Sequence, residues 1–234
     1  MRKVKLTSEQ RERLHRALAK TQARAREVAQ REEGPMTVYS AYGWRSNAEL
    51  MVACRELGYL SDEMTILDVT YGLGSFWKAW MPKGLIGCDL DPAKSPIGYS
   101  VDFRKTLFDD GYFDAVVLDP PYKLQGTGHK DENDARYGLG DYMPWQDRHE
   151  MIREGITEGA RVIRPKGYLL VKCMDQVCGG RKRWQTVEFT AWGGMLGLAL
   201  VDMMHLLTTP RPQPEGRRQV HSLQNFSTLL VFQK

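Results

Sequence analysis

The sequence has few of the residues that build disulfide-linked or metal-binding proteins. It contains only four cysteines and five histidines in 234 residues, and neither type occurs at the spacings typical of metal ligands. No apolar run approaches the roughly 18 residues that a membrane span needs. The basic N-terminus lacks the apolar stretch of a secretory signal. We therefore expect a cytoplasmic protein with reduced cysteines, without a bound metal and without a membrane segment.

Two familiar nucleotide-binding motifs are also absent. The chain has no Gly-Lys-Ser or Gly-Lys-Thr, which excludes a P-loop. A turn that contains Gly72 and Gly74 does follow the apolar, acid-containing segment 66–69, and glycines there let the backbone approach a ligand closely. The third glycine of the dinucleotide fingerprint is replaced by Trp77, which is too large for that helix–strand contact. The turn therefore favours a ligand site that is not a nicotinamide dinucleotide site.

Acidic residues accompany three successive apolar segments. Asp68 lies near the end of the first of them, Asp89 ends the predicted strand 84–89, and Asp102 follows 99–101. A carboxylate at the end of the second strand can accept hydrogen bonds from ribose hydroxyls, as in dinucleotide folds. Leu90 is then placed to cover an adenine face, and Asp102 to accept from an adenine amino group. Each acid alone is also typical of a surface turn; it is their succession that indicates a nucleotide-shaped ligand.

The motif Asp119-Pro120-Pro121-Tyr122 carries the most specific chemistry. It follows the predicted buried strand 115–118, so it lies where open α/β sheets bind their ligands. The Asp119 carboxylate and the Pro120 carbonyl can both accept hydrogen bonds from an amino group. Neither proline has an N–H, so we expect nothing local to compete for these acceptors. Tyr122 can stack on a flat base. The alternative is a simple Pro-Pro turn that ends a strand.

Together these motifs resemble the class I S-adenosylmethionine-dependent methyltransferases. The shared pattern is Asp68-x-Thr70-x-Gly72-x-Gly74, then the acids at 89 and 102, then Asp119-Pro120-Pro121-Tyr122. The Asp-Pro-Pro-Tyr form is similar to amino-methyltransferases that modify adenine N6 or cytosine N4 in DNA. The family often carries Phe at the position of Thr70. The resemblance spans residues 37 to 234, and it shows no long target-recognition insert.

The resemblance implies a fold and roles for individual residues. The fold is a Rossmann-like methyltransferase fold: a mostly parallel seven-stranded sheet with helices on both faces and an antiparallel strand near the C-terminus. The implied S-adenosylmethionine-binding residues are Asp68, Thr70, Gly72, Gly74, Asp89, Leu90 and Asp102. The implied catalytic residues are Asp119, Pro120, Pro121 and Tyr122. Periodicity and turn signals predict strands over 66–69, 84–89, 99–101, 115–118, 167–173, 198–207 and 227–232, and helices over 47–54, from 75 to 81, over 146–163 and over 184–196.

The distribution of charge indicates the partner. Residues 1–34 hold a net charge of +5, against +4 for the whole chain, which predicts a basic helical extension before a methyltransferase domain over 35–234. Two further basic clusters lie in predicted loops: Arg181, Lys182 and Arg183, then Arg217 and Arg218. Loops at one end of such a sheet converge on the site, so these clusters predict contact with nucleic acid. Either cluster alone is more typical of an ordinary polar loop.

The segment 123–142 is rich in glycine and charge, and its position after the Asp-Pro-Pro-Tyr motif predicts either a lid over the target or simple disorder. The sequence thus favours a DNA amino-methyltransferase that acts on adenine N6 rather than cytosine N4. An RNA base methyltransferase and a non-catalytic nucleic-acid-binding module on the same fold stay open as alternatives. Protein-glutamine methylation is disfavoured, because that related group typically has Asn where this chain has Asp119. The target sequence, the strandedness of the nucleic acid and the oligomeric state are not encoded in these motifs.

Overall fold

A computed structural model describes residue 12 and residues 39–124, 143–208, 220–222 and 224–234. The predicted N-terminal helix, the predicted lid after residue 124 and Arg217 and Arg218 lie outside these ranges. The strands are β1 (Tyr42–Trp44), β2 (Thr65–Asp68), β3 (Gly84–Gly87), β4 (Phe113–Leu118), β5 (Ile163–Cys173), β6 (Gln176–Cys178), β7 (Arg181–Arg183), β8 (Ala199–Leu207) and β9 (Phe226–Gln233). The helices are α1 (Asn47–Glu56), α2 (Trp145–Val162) and α3 (Gln185–Met195), and a 3₁₀ turn spans Ser75–Trp77.

Seven strands form one sheet in the order β1-β8-β9-β5-β4-β2-β3. All neighbours in it are parallel except β9, which is antiparallel to both β5 and β8. The predicted Rossmann-like methyltransferase fold, with its antiparallel strand near the C-terminus, is confirmed. The order reverses at β2, which pairs with β3 on one side and β4 on the other, and ligands of open α/β sheets bind at such a switch point.

Apolar residues alternate along the central strands and build a core on each face of the sheet. Val116 and Leu118 pack with the α2 side chains Ile152 and Ile156. Ala115, Val117 and the α1 residues lie in the second core, on the opposite face. Helices therefore cover both faces, as predicted, which explains why these strands are short continuous apolar runs. Ser46 caps α1 by accepting a hydrogen bond from the Glu49 N–H at 3.2 Å.

Two predicted elements differ in the structure, and one strand was not predicted. Residues 99–101 do not form a strand; a single bridge joins Asp89 to Ser100. The seventh strand of the sheet is β1, which has only three residues and no apolar pattern that predicts it. The helix predicted from Ser75 is limited to the 3₁₀ turn. Pro82 disfavours helical backbone at the preceding residue, so a longer helix toward position 81 is not supported.

The basic segment Arg181–Arg183 is a strand and not the predicted loop. It pairs with β6 in a two-stranded hairpin, in which Cys178 faces Arg181. The two connecting residues, Gly179 and Gly180, have φ values of 60° and 72°. Such positive φ values at both central positions are those of a type I′ turn, which glycine adopts without strain. The glycine pair therefore explains the hairpin.

Candidate active site

The carboxyl ends of β2, β3 and β4 bring Asp68, Asp89 and Asp119 to one edge of the sheet. The strands are parallel and in register there, since Asp68 pairs with Gly87 on one side and with Val117 on the other. Asp89 and Asp119 each lie two residues beyond those pairs. These three acids therefore lie together, whereas Asp102 follows a segment that forms a single bridge and no strand. Their roles toward a ligand stay predictions.

Asp68 is buried beneath the glycine turn. One carboxylate oxygen accepts a hydrogen bond from the Thr70 N–H at 3.0 Å, and the other accepts from the Trp77 indole N–H at 2.7 Å. Burial raises the pKa of Asp68 to about 7, although these two hydrogen bonds oppose the shift. The carboxylate thus holds both sides of the turn together. Its role toward a cofactor stays a prediction.

Glycine is required in the turn itself. Gly72 and Gly74 have φ values of 54° and 65°, in the left-handed region. The Gly72 N–H donates to Asp89 Oδ2 at 2.9 Å, which ties the turn to the end of β3. A Cβ atom on Gly74 would lie 2.7 Å from the Tyr71 hydroxyl oxygen, so the Tyr71 ring also excludes a side chain there. The turn is thus held in place by Asp89 on one side and packed against the Tyr71 ring on the other.

The predicted cofactor residues Asp89, Leu90 and Asp102 differ in how accessible they are to a ligand. Asp89 is partly exposed and accepts a second hydrogen bond from the Asp91 N–H at 2.9 Å, while Leu90 beside it is exposed. Asp102 is paired with Arg104, whose Nη2 lies 2.6 Å from Oδ2. Hydrogen bonds from Arg104 hold the pKa of Asp102 below its usual value. An adenine amino group would have to share the Asp102 carboxylate with that guanidinium.

Asp119 is fixed through its backbone, and one of its side-chain oxygens is buried. Its N–H donates to Thr70 Oγ1 at 2.7 Å, a direct link between the glycine turn and the Asp-Pro-Pro-Tyr motif. Among the described residues, no group bonds the buried Oδ1 atom. Burial raises the pKa of Asp119, and the positive charges of Lys172 and Lys123 oppose this shift. A buried acceptor without a donor indicates a place for a ligand donor.

The expectation that nothing local competes for the Pro120 carbonyl is wrong. The N–H of Tyr122 donates to it at 2.7 Å, which closes a tight turn. The proline rings lack N–H groups, but the next residue does not. A carbonyl oxygen has two lone pairs, so one acceptor position remains.

Three buried or partly buried side chains that the sequence analysis did not single out hold this motif in place. Arg148 Nη1 donates to the Pro121 carbonyl at 2.9 Å. Gln176 and Gln185 each donate to the Tyr122 carbonyl, also at 2.9 Å. Arg148 lies four residues before Ile152 on the apolar face of α2. A charged residue on an apolar helix face is the sequence feature that could have indicated its role. The two glutamines carry no comparable signal in the sequence.

The basic hairpin β6–β7 is attached to the same loop. Gln176 in β6 accepts from the Leu124 N–H at 3.0 Å in addition to its bond to Tyr122. Lys182 Nζ lies 4.8 Å from the centre of the exposed Trp184 ring, and the Arg183 guanidinium lies 3.8 Å from that of Trp145. These cation–π pairs form a basic and aromatic surface next to the motif.

The chain is similar to known proteins in its fold and not in its sequence. No family model matches the chain, and no curated protein matches it. A methyltransferase from Methanosarcina mazei, described as S-adenosylmethionine-dependent, superposes with a TM-score of 0.48 at 12% identity, over 76% of this chain and 95% of that one. A proposed DNA modification methylase from Thermus thermophilus, solved with S-adenosylmethionine, gives 0.40 at 18%, over 57% and 53%. The cytosine-N4-specific PvuII DNA methyltransferase gives 0.39 at 13%, over 54% and 44%.

The chain thus spans about half the length of these two DNA methylases. At such identities the likeness concerns the fold alone, and the chemistry of this chain has to follow from its own residues. Among the described residues, no helix is both long and apolar enough to cross a bilayer.

Proposed function

We propose that this protein transfers a methyl group from S-adenosylmethionine to an exocyclic amino nitrogen of a nucleic-acid base, with adenine N6 in DNA as the favoured target. The observation that carries the proposal is the buried Oδ1 of Asp119, to which no group of the described residues donates, at the switch point of the sheet beside a glycine turn. An amino group is the donor that this acceptor lacks. The Pro120 carbonyl offers a second acceptor position next to it.

The residues at the sheet edge fit S-adenosylmethionine. In the part of the chain that the structure describes, a Cβ atom on Gly72 would meet nothing nearer than the Thr70 carbonyl oxygen at 3.8 Å, which leaves room there for close backbone approach. The partly exposed Asp89 carboxylate suits ribose hydroxyls. The exposed Leu90 suits an adenine face. Asp68 and Thr70 would act from beneath, by fixing the turn. Asp102 would contribute only if it shares its carboxylate with Arg104.

In this reaction the protein forms no covalent bond to the substrate; it binds and aligns the reacting groups. Bound S-adenosylmethionine supplies a methyl group that a positively charged sulfur makes electrophilic. The Asp119 carboxylate accepts a hydrogen bond from the base amine, which localises the nitrogen lone pair and stabilises the positive charge that develops on nitrogen. The methylated nitrogen then passes its extra proton to the Asp119 carboxylate that accepts its hydrogen bond, and from there the proton goes to water. Tyr122 holds the ring by stacking. The remaining contribution is alignment of amine and methyl group, which the bonded Asp-Pro-Pro-Tyr loop provides.

Nucleic acid is the proposed substrate because of the hairpin surface. Arg181, Lys182 and Arg183 supply phosphate contacts, and Trp184 supplies a ring for stacking. A base inside a duplex cannot reach the sheet edge, so the target base must be flipped out or already unpaired. An RNA base would suit the same groups, and RNA is the second candidate substrate.

Calorimetry with the purified protein tests the cofactor assignment. S-adenosylmethionine should bind, and Asp89→Ala should weaken it by about 1.5–3 kcal/mol, the scale for a lost hydrogen bond to a charged group. Part of that loss would come from the Gly72 N–H that Asp89 holds. Absence of binding, or tighter binding of NAD, would contradict the assignment. A non-catalytic nucleic-acid-binding module would also show no cofactor binding.

A further inference from the structure

A buried lysine lies beside the proposed catalytic carboxylate. Lys172 is the tenth residue of β5 and is only 3% exposed. The register pairs Leu118, the last residue of β4, with Val171 of β5, so Asp119 directly follows β4 beside Lys172, the next residue of β5. Lysine is seldom buried without a partner, because an isolated ammonium group loses its hydration there. Its position therefore requires an explanation that packing alone does not provide.

The ammonium group of Lys172 contacts two neutral groups. It donates a hydrogen bond to the side-chain oxygen of Asn47, the first residue of α1. It also lies 5.4 Å from the centre of the Phe76 ring, in the turn after the two glycines. Neither contact neutralises a positive charge. These neutral groups hold the ammonium in place, and the compensating charge must come from another residue.

The charged groups around Asp119 leave Lys172 as the principal buried cation. From β2, Asp68 faces Asp119 as a like charge. From the same loop, Lys123 adds a positive charge, but it is partly exposed. From β5, Lys172 is buried as well. Burial lowers the pKa of Lys172 and raises that of Asp119, and each charge opposes this shift in the other. Screening by water is weakest for buried charges, so Lys172 acts on Asp119 more strongly than Lys123 does.

We propose that Lys172 is the counter-ion of Asp119, which keeps that carboxylate ionised in its buried site and so able to accept a hydrogen bond from the substrate amine. Lys172 is then a positioning residue, since it acts through Asp119 and Asn47 anchors it. This inference rests on the proposed function for its catalytic consequence, but the pairing of the two charges is independent of it.

The test of the catalytic consequence is a pH profile of methyl transfer. Lys172→Met removes the charge and keeps most of the volume, so Asp119 should take up a proton at higher pH. We expect at least a roughly tenfold loss of rate near pH 7, a shift of the acidic limb upward by about one pH unit or more, and partial recovery near pH 9. Lys172→Arg should keep the limb near its original position, and Lys83→Met, an exposed lysine before β3, should leave the profile unchanged.

The affinity for the cofactor distinguishes a counter-ion role of Lys172 from a cofactor-binding role. Lys172→Met should change the dissociation constant of S-adenosylmethionine by less than about threefold, since the lysine acts on the amine acceptor and not on the cofactor. A tenfold or greater loss of affinity with an unmoved acidic limb would mean that Lys172 holds the cofactor, and it would overturn the counter-ion role.

A thermal double-mutant cycle tests the pairing without any activity. In it, Lys172→Met is combined with Asp119→Asn, and the shifts in melting temperature are compared. The double variant should be more stable than the sum of the single shifts predicts, because each single change leaves one buried charge without its partner. Additive shifts would overturn the pairing. If Lys172→Met does not fold while Lys172→Met with Asp119→Asn does, the pairing is supported directly. A coupled pair in a protein without methyl transfer would leave the pairing intact and reject the proposed function alone.

Discussion

The hydroxyl oxygen of Thr70 accepts a hydrogen bond from the backbone N–H of Asp119 at 2.7 Å. This bond joins the turn that would cradle the cofactor to the motif that would hold the target amine, across 49 residues of sequence. The hydrogen bond thereby fixes the distance between the glycine turn and the Asp-Pro-Pro-Tyr motif. Thr70 also donates its own N–H to Asp68, so it connects three of the residues at the sheet edge.

Thr70→Val tests this connection. Valine keeps the shape of threonine but leaves the Asp119 N–H without its acceptor, so the free energy of unfolding should fall by about 1–3 kcal/mol. The rate of methyl transfer should fall as well, since Asp119 loses its anchor. Urea denaturation and steady-state kinetics measure the two effects. Thr70→Ser retains the hydroxyl and should stay close to the parent protein; equal losses in both variants would contradict the role of the hydrogen bond.

The pKa of Asp68 predicts a dependence of stability on pH. The ordinary pKa of 3.8 rises to about 7 in the folded protein, so between these values the folded state binds a proton that the unfolded state does not. The contribution of Asp68 to stability is therefore full below about pH 4 and is lost as the pH rises toward 7, by at most about 1.4 kcal/mol per pH unit.

Asp68→Asn cannot titrate, so it should remove that part of the slope when the free energy of unfolding is measured by denaturant titration from about pH 4.5 to 7. The exposed Asp109→Asn serves as the matched control. A slope that Asp68→Asn leaves unaltered would show that Asp68 does not titrate in this range.

Asp119→Ala separates catalysis from cofactor binding. The carboxylate acts on the amine and not on the sulfonium, so methyl transfer should be abolished while the affinity for S-adenosylmethionine stays nearly constant. Tyr122→Ala should instead weaken binding of the target by about 1–3 kcal/mol, the scale of one lost stacking contact. Single-turnover kinetics and calorimetry measure these quantities. Full activity of Asp119→Ala would reduce the motif to a structural turn.

The hairpin surface predicts how binding depends on salt. Lys182→Ala combined with Arg183→Ala should weaken binding of DNA about equally for all sequences. It should also lower the slope of log affinity against log salt concentration by roughly one unit per lost phosphate contact. Fluorescence anisotropy at several salt concentrations measures both. The exposed Val187→Ala, on α3, provides a control nearby. An unchanged slope would assign the hairpin to another role.

Much of the fold is encoded in local patterns. The apolar runs before Asp68 and Asp119 are buried strands because side chains from both faces of the sheet are covered, and the turn at Gly72 and Gly74 has the backbone that only glycine adopts easily. Strand β1 and the hairpin at Gly179 were not predicted. A three-residue strand has no periodicity of its own, and it forms because the edge of β8 is available to it.

The site was predictable only in part. The positions of Asp89 and Asp119 follow from strand ends, which sequence patterns locate. The side chains that support the motif come from distant parts of the sequence. Arg148 donates to the Pro121 carbonyl, 27 residues away, and Gln185 donates to the Tyr122 carbonyl, 63 residues away. Likewise, the pairing of Arg104 with Asp102 depends on a side-chain direction, which no motif specifies.

Nucleoside analysis after methyl transfer tests the central claim most directly. The purified protein is incubated with isotope-labelled S-adenosylmethionine and with matched DNA and RNA, and the digested nucleosides are separated by mass spectrometry, with Asp119→Ala as the control. The account predicts labelled N6-methyladenine in DNA, absent with the control variant. Label in RNA alone would move the enzyme to the RNA class. Label on protein alone, or none on any substrate although the cofactor binds, would contradict methylation of a nucleic-acid base.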